Sequence, residues 1–326
     1  MKTFPALCLS LAITLVSCRG KEHKVNESTN EDFLIAYNVY APDSSNEDNY
    51  EIFIMDMEGS RKKNITNQSD VAWTYLAIKE KILFISDRDT CSRCIYLYEM
   101  DANGENVKKI TDFKLRDSWM SSPYDGKELI VNPHSDVDSA FYLINQQGEV
   151  LQKIYTGLKN SSDPAFSPDG ELITFRGGNR KSKREEGYKE EIYIINSDGS
   201  GLKQLTKYPD GDTTAPWYAY KAGPPKWHPT ENFISYASYQ KGKYSLYAVS
   251  PDGKNQWKLT DNPQDEVYHT WSPDGRWLTL DVSDNEQTQF DIALMNWETK
   301  EMKILTDSTF AYQQSPVFVL SSSQQE

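Results

Sequence analysis

Histidine, cysteine, basic charge and long apolar runs are all scarce in this 326-residue chain, and each scarcity narrows what it does. The four histidines, His23, His134, His228 and His269, are scattered, so the histidine cluster a metal-dependent lyase uses is not written here. No metal and no cofactor is expected. The four cysteines are too few for a disulfide framework, and Cys91-Ser92-Arg93-Cys94 lacks the two further ligands that zinc needs. The apolar run from Phe4 to Val16 has 13 residues, short of the roughly 20 that span a bilayer. Lysine and arginine number 35 against 48 acids, a net charge of −13. Such a chain repels phosphate and gains nothing from counterion release, which excludes nucleic acid as its expected partner; the charge serves solubility. A Gly-x-Ser-x-Gly elbow is missing too, since Gly199-Ser200-Gly201 falls in a predicted hairpin turn. A carboxylate pair for glycoside hydrolysis stays open, because among 48 acids some pair always lies close.

What is present begins at the N-terminus. Lys2 followed by the apolar run reads as a secretory signal over residues 1–17. Its end, Leu15-Val16-Ser17-Cys18, resembles the lipobox of bacterial lipoproteins. That resemblance implies cleavage before Cys18, acylation there, and a chain tethered to a membrane instead of spanning it, most simply the outer membrane. Residues 18–32 are polar and read as a flexible tether. In an exported chain, Cys91 and Cys94 in a loop between strands are expected to bridge; so short a loop adds only about 2 kcal/mol.

The body of the chain repeats. An apolar residue followed by threonine recurs as Ile65-Thr66, Ile110-Thr111, Tyr155-Thr156, Leu205-Thr206, Leu259-Thr260 and Leu305-Thr306, in steps of 45, 45, 50, 54 and 46 residues. Each is preceded by a period-two apolar segment such as Glu191-Ile-Tyr-Ile-Ile or Phe290-Asp-Ile-Ala-Leu-Met, a strand signal. The turn Ser167-Pro168-Asp169-Gly170 returns as Ser272-Pro273-Asp274-Gly275 and, degenerately, as Ser122 to Gly126 and His228 to Asn232. Ser250-Pro251-Asp252-Gly253 is out of phase, aligning with Ser197-Asp198-Gly199 one hairpin later. Each unit therefore reads as four strands, and four-stranded units of about 45 residues make a propeller. The first unit opens at Phe33-Leu-Ile-Ala-Tyr, already a second strand, while Ser315-Pro-Val-Phe-Val-Leu320 resembles a first strand. The expected fold is an all-β, six-bladed β-propeller over residues 33–320, closed by a C-terminal strand that completes blade one, with a polar tail at 321–326.

The ordered pattern Pro-x-[Phe/Trp]-Ser-Pro-Asp-Gly, x-Ile-x-Phe, Ser86-Asp87-Arg88-Asp89, Ile-Tyr, Asp-Gly and Leu-Thr resembles the TolB-like propeller repeat over roughly residues 33 to 320. The resemblance implies binding of a protein in the cell envelope, since the propeller that names the family binds a lipoprotein partner. The chain departs from that pattern in lacking the preceding α/β domain and in carrying a lipobox of its own.

Binding is expected where loops between second and third strands meet the connections between blades. Two long insertions fall there, Gly177 to Lys189 and Lys207 to Pro225. The first is basic, with Arg180, Lys181, Lys183 and Arg184, and the second aromatic, with Tyr208, Trp217, Tyr218 and Tyr220. Arginine and aromatic side chains anchor protein partners, and aromatics also stack on sugars. His269, beside Tyr268 and near Asp265, is a further candidate facing the channel. The expected function is thus a monomeric envelope lipoprotein that scaffolds a protein partner. A carbohydrate-binding lipoprotein, a polysaccharide lyase or a glycoside hydrolase on the same propeller is the alternative.

Overall fold

A computed structural model describes residues 33–321 except Ser45, Tyr124 and Asp125. The signal peptide, Cys18, the tether and the tail from 322 onward lie outside the described residues. Strands β1 (Phe33–Tyr40), β2 (Tyr50–Asp56) and β3 (Lys63–Asn64) form the outer part of blade one. Blade two holds β4 (Ala72–Ile78), β5 (Lys81–Ser86), β6 (Tyr96–Asp101) and β7 (Lys108–Lys109). Blade three holds β8 (Glu128–Val131), β9 (Phe141–Asn145) and β10 (Val150–Ile154). Blade four is built from β11 (Asn160–Phe166), β12 (Leu172–Gly178), β13 (Glu190–Asn196) and β14 (Lys203–Gln204). Blade five has β15 (Lys226–Trp227), β16 (Ile234–Gln240), β17 (Lys243–Val249) and β18 (Gln256–Lys258). Blade six has β19 (Asp265–Trp271), β20 (Trp277–Ser283), β21 (Phe290–Asn296) and β22 (Met302–Ile304). The last strand, β23 (Gln313–Leu320), pairs antiparallel with β1, so the sheet order β23-β1-β2-β3 closes the ring as expected.

The recurring sequence elements have physical reasons. In the Ser-Pro-Asp-Gly turn, Ser167 Oγ accepts the Leu172 N–H at 2.9 Å, Asp169 accepts the Glu171 N–H at 3.1 Å, and Gly170 takes a φ of 76°. His228 replaces that serine as acceptor, its Nδ1 taking the Glu231 N–H at 2.9 Å. The closing threonine locks a blade to its own third strand: Thr206 Oγ1 accepts the Ile192 N–H at 2.9 Å and donates to Glu191 at 2.7 Å. Apolar faces pack blade on blade, as where Phe141 meets Phe175 edge-on at 5.4 Å.

Blade three departs from the four-strand expectation. Its first strand is reduced to a single bridge between Ser121 and Ile130. The neighbouring blade competes for the backbone there: Asp163 Oδ1 accepts the Trp119 N–H at 3.1 Å and the Ser118 hydroxyl at 3.0 Å.

Four first strands carry a bulge against their second strand. The register slips between Thr74 and Leu76, Ser162 and Ala165, and Glu266 and His269, and opposite Ala36 to Asn38 at Ser315. Bulges re-aim side chains. Asp163 and Ser315, with φ of 59° and 53°, each precede a proline at the slip. Among the described residues no helix is long and apolar enough to cross a membrane.

Candidate functional site

The bulges place Tyr75, Asp163 and Tyr268 in the wall of a pocket at one mouth of the central channel, with a volume of about 310 Å³. Six aromatic rings line it in an unbroken arc: Tyr50 to Trp73 at 5.1 Å, Trp73 to Tyr75 at 6.0 Å, Tyr75 to Trp119 at 4.3 Å, Trp119 to Tyr268 at 4.6 Å, and Tyr268 to Tyr220 at 6.1 Å. The Tyr220 and Tyr268 hydroxyls are 3.2 Å apart. Trp73 Nε1 has no hydrogen-bond partner in the structure.

Charges interleave with the rings. Arg176, on β12, pairs with Asp163 at 2.6 Å and Glu190 at 3.0 Å, and its guanidinium lies 4.7 Å from the Tyr220 ring. Lys183 reaches in from the basic insertion, 3.5 Å from Glu190 and 4.2 Å from the same ring. Burial pushes Lys183 below the usual lysine range, with Glu190 opposing. Asp117 accepts a hydrogen bond from the Tyr75 hydroxyl; burial raises its pKa against that bond and the nearby Arg93. Arg93 pairs with Asp48 and lies 5.8 Å from the Tyr50 ring. It stands between Cys91 and Cys94, which are disulfide-paired with Cα atoms 5.1 Å apart.

The two insertions meet. Arg184 sits 5.0 Å over Trp217, Lys183 sits over Tyr220, and Tyr220 joins the pocket wall. Trp217 and Tyr218 pack edge to face at 5.7 Å, yet remain 58 % and 60 % exposed. Arg180 and Lys181 are exposed at the tip of the basic loop. Tyr208 lies elsewhere and braces the aromatic insertion, donating its hydroxyl to the Tyr239 carbonyl at 2.6 Å.

His269 is not among the pocket-lining residues. It is 3 % exposed, with Nε2 2.7 Å from Ser235 Oγ, which also accepts from Trp271 Nε1 at 2.9 Å. Burial, with Lys226 adding, pushes its pKa down to about 3. Ser235 is fully buried too, so the pair packs the interior and offers no nucleophile to a substrate. Among the described residues no three His, Cys, Asp or Glu side chains converge to hold a metal ion.

Sequence reading missed Trp73, Tyr75, Arg93, Asp117, Trp119, Asp163, Arg176 and Tyr268, all of which line the pocket. One signal was there: Asp163, Tyr268 and Ser315 stand three residues before the inward aromatics Phe166, Trp271 and Phe318, a position where a regular strand has no reason to vary so widely.

No protein-family profile matches the chain. An uncharacterised protein of Agrobacterium fabrum is 23 % identical over 219 residues, 64 % of this chain and 68 % of the relative. The dipeptidyl-peptidase 5 of Porphyromonas endodontalis is 30 % identical over 120 residues, 36 % of this chain and only 16 % of the peptidase. The chain thus spans about two thirds of the first relative and under a fifth of the second. Among solved structures, TolB from Acinetobacter baumannii matches with a TM-score of 0.64 and 17 % identity over 87 % of this chain and 66 % of that one. A TolB from Agrobacterium tumefaciens, described as such provisionally, gives 0.62 and 16 % over 87 % and 91 %.

The fold is that of a TolB-like propeller. At these identities the likeness covers architecture alone, and the ligand of a TolB-like propeller is argued from its site.

Proposed function

We propose that the chain is a cell-envelope lipoprotein whose propeller is a binding module for a protein partner, gripped at the pocket and the rim of the two insertions. The observation that carries this reading is the continuous arc of six rings leading to exposed Trp217 and Tyr218 beside Arg184. Aromatic and arginine side chains around a preformed pocket are the composition of a protein-binding hot spot. Lys183 is held by Glu190, whereas Arg180, Lys181 and Arg184 have no carboxylate within ion-pair distance among the described residues. An acidic partner segment with an apolar side chain for the pocket fits both features.

Affinity capture from envelope extract tests this, using the chain beside a variant with Arg180, Arg184 and Trp217 changed to alanine. A stoichiometric protein held by the parent and lost with the variant supports the reading; capture that the variant leaves unchanged removes the site. The same arc of rings favours a second reading in which a sugar is the ligand, since aromatic faces also stack on sugars. Quenching of tryptophan fluorescence by oligosaccharides, with no protein captured, is the result that selects it.

A further inference from the structure

The arc of rings carries a cation at each end. Arg93 lies against Tyr50 at one end, and Arg176 and Lys183 lie against Tyr220 at the other. Each of these cations has a carboxylate of its own: Asp48 for Arg93, Asp163 and Glu190 for Arg176, and Glu190 again for Lys183. The middle of the arc is different. Among the described residues no cation lies over the rings of Trp73, Tyr75 or Tyr268, and a carboxylate, Asp117, stands beside them in the pocket wall.

Asp117 owes its place to the irregularity of blade three. Residues 117–120 run outside the ladder, between the isolated bridges of Leu115 and Ser121, and this stretch supplies Asp117 and Trp119 to the wall. Asp117 is solvent-exposed there, whereas Asp163 in the same wall is buried and fully engaged by Arg176, Ser118, Ser162 and the Trp119 N–H. Its one side-chain hydrogen bond comes from the Tyr75 hydroxyl, and no lysine or arginine of the described residues is within ion-pair distance of it. A carboxylate among rings, poor in water and without a counter-ion, is costly to keep charged. The raised pKa of Asp117 is the expression of that cost.

We propose that the pocket is a cation cage, taking the ammonium or guanidinium tip of a partner's side chain, with Asp117 as its counter-ion and the rings of Trp73, Tyr75 and Tyr268 around it. The inference deepens the protein-binding reading above and rests on it for the source of the cation. Aromatic rings attract cations through their quadrupoles, tryptophan most strongly. Lysine and arginine are apolar over about three or four methylenes, so the stem fills the aromatic mouth while the tip reaches the carboxylate. Acidic neighbours on the same segment then meet Arg180, Lys181 and Arg184 at the rim. An anionic tip finds both pocket arginines already engaged, and a neutral tip leaves Asp117 without a counter-ion. The net charge of −13 also draws a cation in and turns an anion away.

Calorimetric titration of the full chain at constant ionic strength tests the cage with three probes: n-butylammonium, which is the lysine side chain, 1-butanol, which keeps the stem with a neutral tip, and butyrate, which carries the opposite charge. The amine is expected to bind saturably and about tenfold more tightly than the alcohol, with no binding of butyrate. Asp117→Asn keeps an oxygen for the Tyr75 hydroxyl and removes the charge. It should lose about tenfold for the amine, leave the alcohol unchanged, and keep the parent's thermal midpoint. Trp73→Leu, which keeps apolar bulk and removes a ring, should also weaken the amine more than the alcohol. Equal affinity for amine and alcohol, no saturable binding of the amine, or amine binding that Asp117→Asn leaves unchanged overturns the proposal. The titration needs no partner, so it is independent of affinity capture. Capture without amine binding removes the cage and leaves the rim reading in place, and amine binding without capture keeps the cage and removes the protein as its source of cation.

Discussion

Lys226 stands on the innermost strand of blade five, its ammonium 6.0 Å from the Trp119 ring and without a carboxylate partner among the described residues. Loss of water pushes its pKa down to about 8, with the charge of Asp163 opposing. The sign of the pH dependence follows from comparing the folded and unfolded chains. Below about pH 8 both hold the proton, and the folded chain carries the full penalty of a poorly hydrated charge. As pH rises from there toward the ordinary lysine value of 10.5, the folded chain has given up the proton and the penalty shrinks. Lys226→Met is therefore expected to raise the thermal midpoint at about pH 7, with a smaller gain at about pH 9.5. A gain that stays constant with pH removes the charge explanation and leaves only packing. At this scale the sequence was only partly legible. Tyr220 and Trp217 stand out because they sit in an insertion. Asp163 and Arg176 read as an ordinary Asp-Pro and a strand residue until the bulge brings one against the other.

The insertions are the elements on which the site depends, and they are separable from the fold. Strands β12 and β13 pair in register up to Gly178 and Glu190, so the ladder does not need the loop beyond it. Replacing Arg180–Tyr188 with Asn-Gly gives a two-residue hairpin of the favoured type. The thermal midpoint is expected to stay near that of the parent, because shortening a loop changes closure entropy by only about 1 kcal/mol. Partner capture should be lost, since Lys183 and Arg184 leave Tyr220 and Trp217 uncovered. Capture that survives in a folded variant assigns binding to another surface. The position of these loops was legible because the Thr and Pro-Asp-Gly signals keep phase on either side of them. The loss of the first strand in blade three was not, because a side chain from the next blade, 44 residues away, takes the backbone N–H that a local reading assigns to the ladder.

Closure of the ring is a property of the whole molecule, and one strand carries it. Deleting Gln313–Glu326 removes β23, exposing the full edge of β1 and withdrawing Val317, Phe318 and Val319 from clusters shared by blades one, two and six. Each of these buried side chains contributes roughly 1.5–3 kcal/mol, and their sum approaches the 5–15 kcal/mol that holds a typical domain together. The truncated chain is expected to lose its cooperative thermal transition and its resistance to protease. The vacated edge also supplies a positive control. A peptide of the sequence Gln313–Leu320, added in excess, has the register and alternation to pair with β1 in trans, as an added strand does in β-augmentation. If the peptide restores the transition, closure is what the strand provides, and a peptide with Val317 and Val319 changed to lysine should fail to do so. If neither peptide restores it, β23 acts before the ring is complete, as part of the nucleus on which the first and last blades fold together.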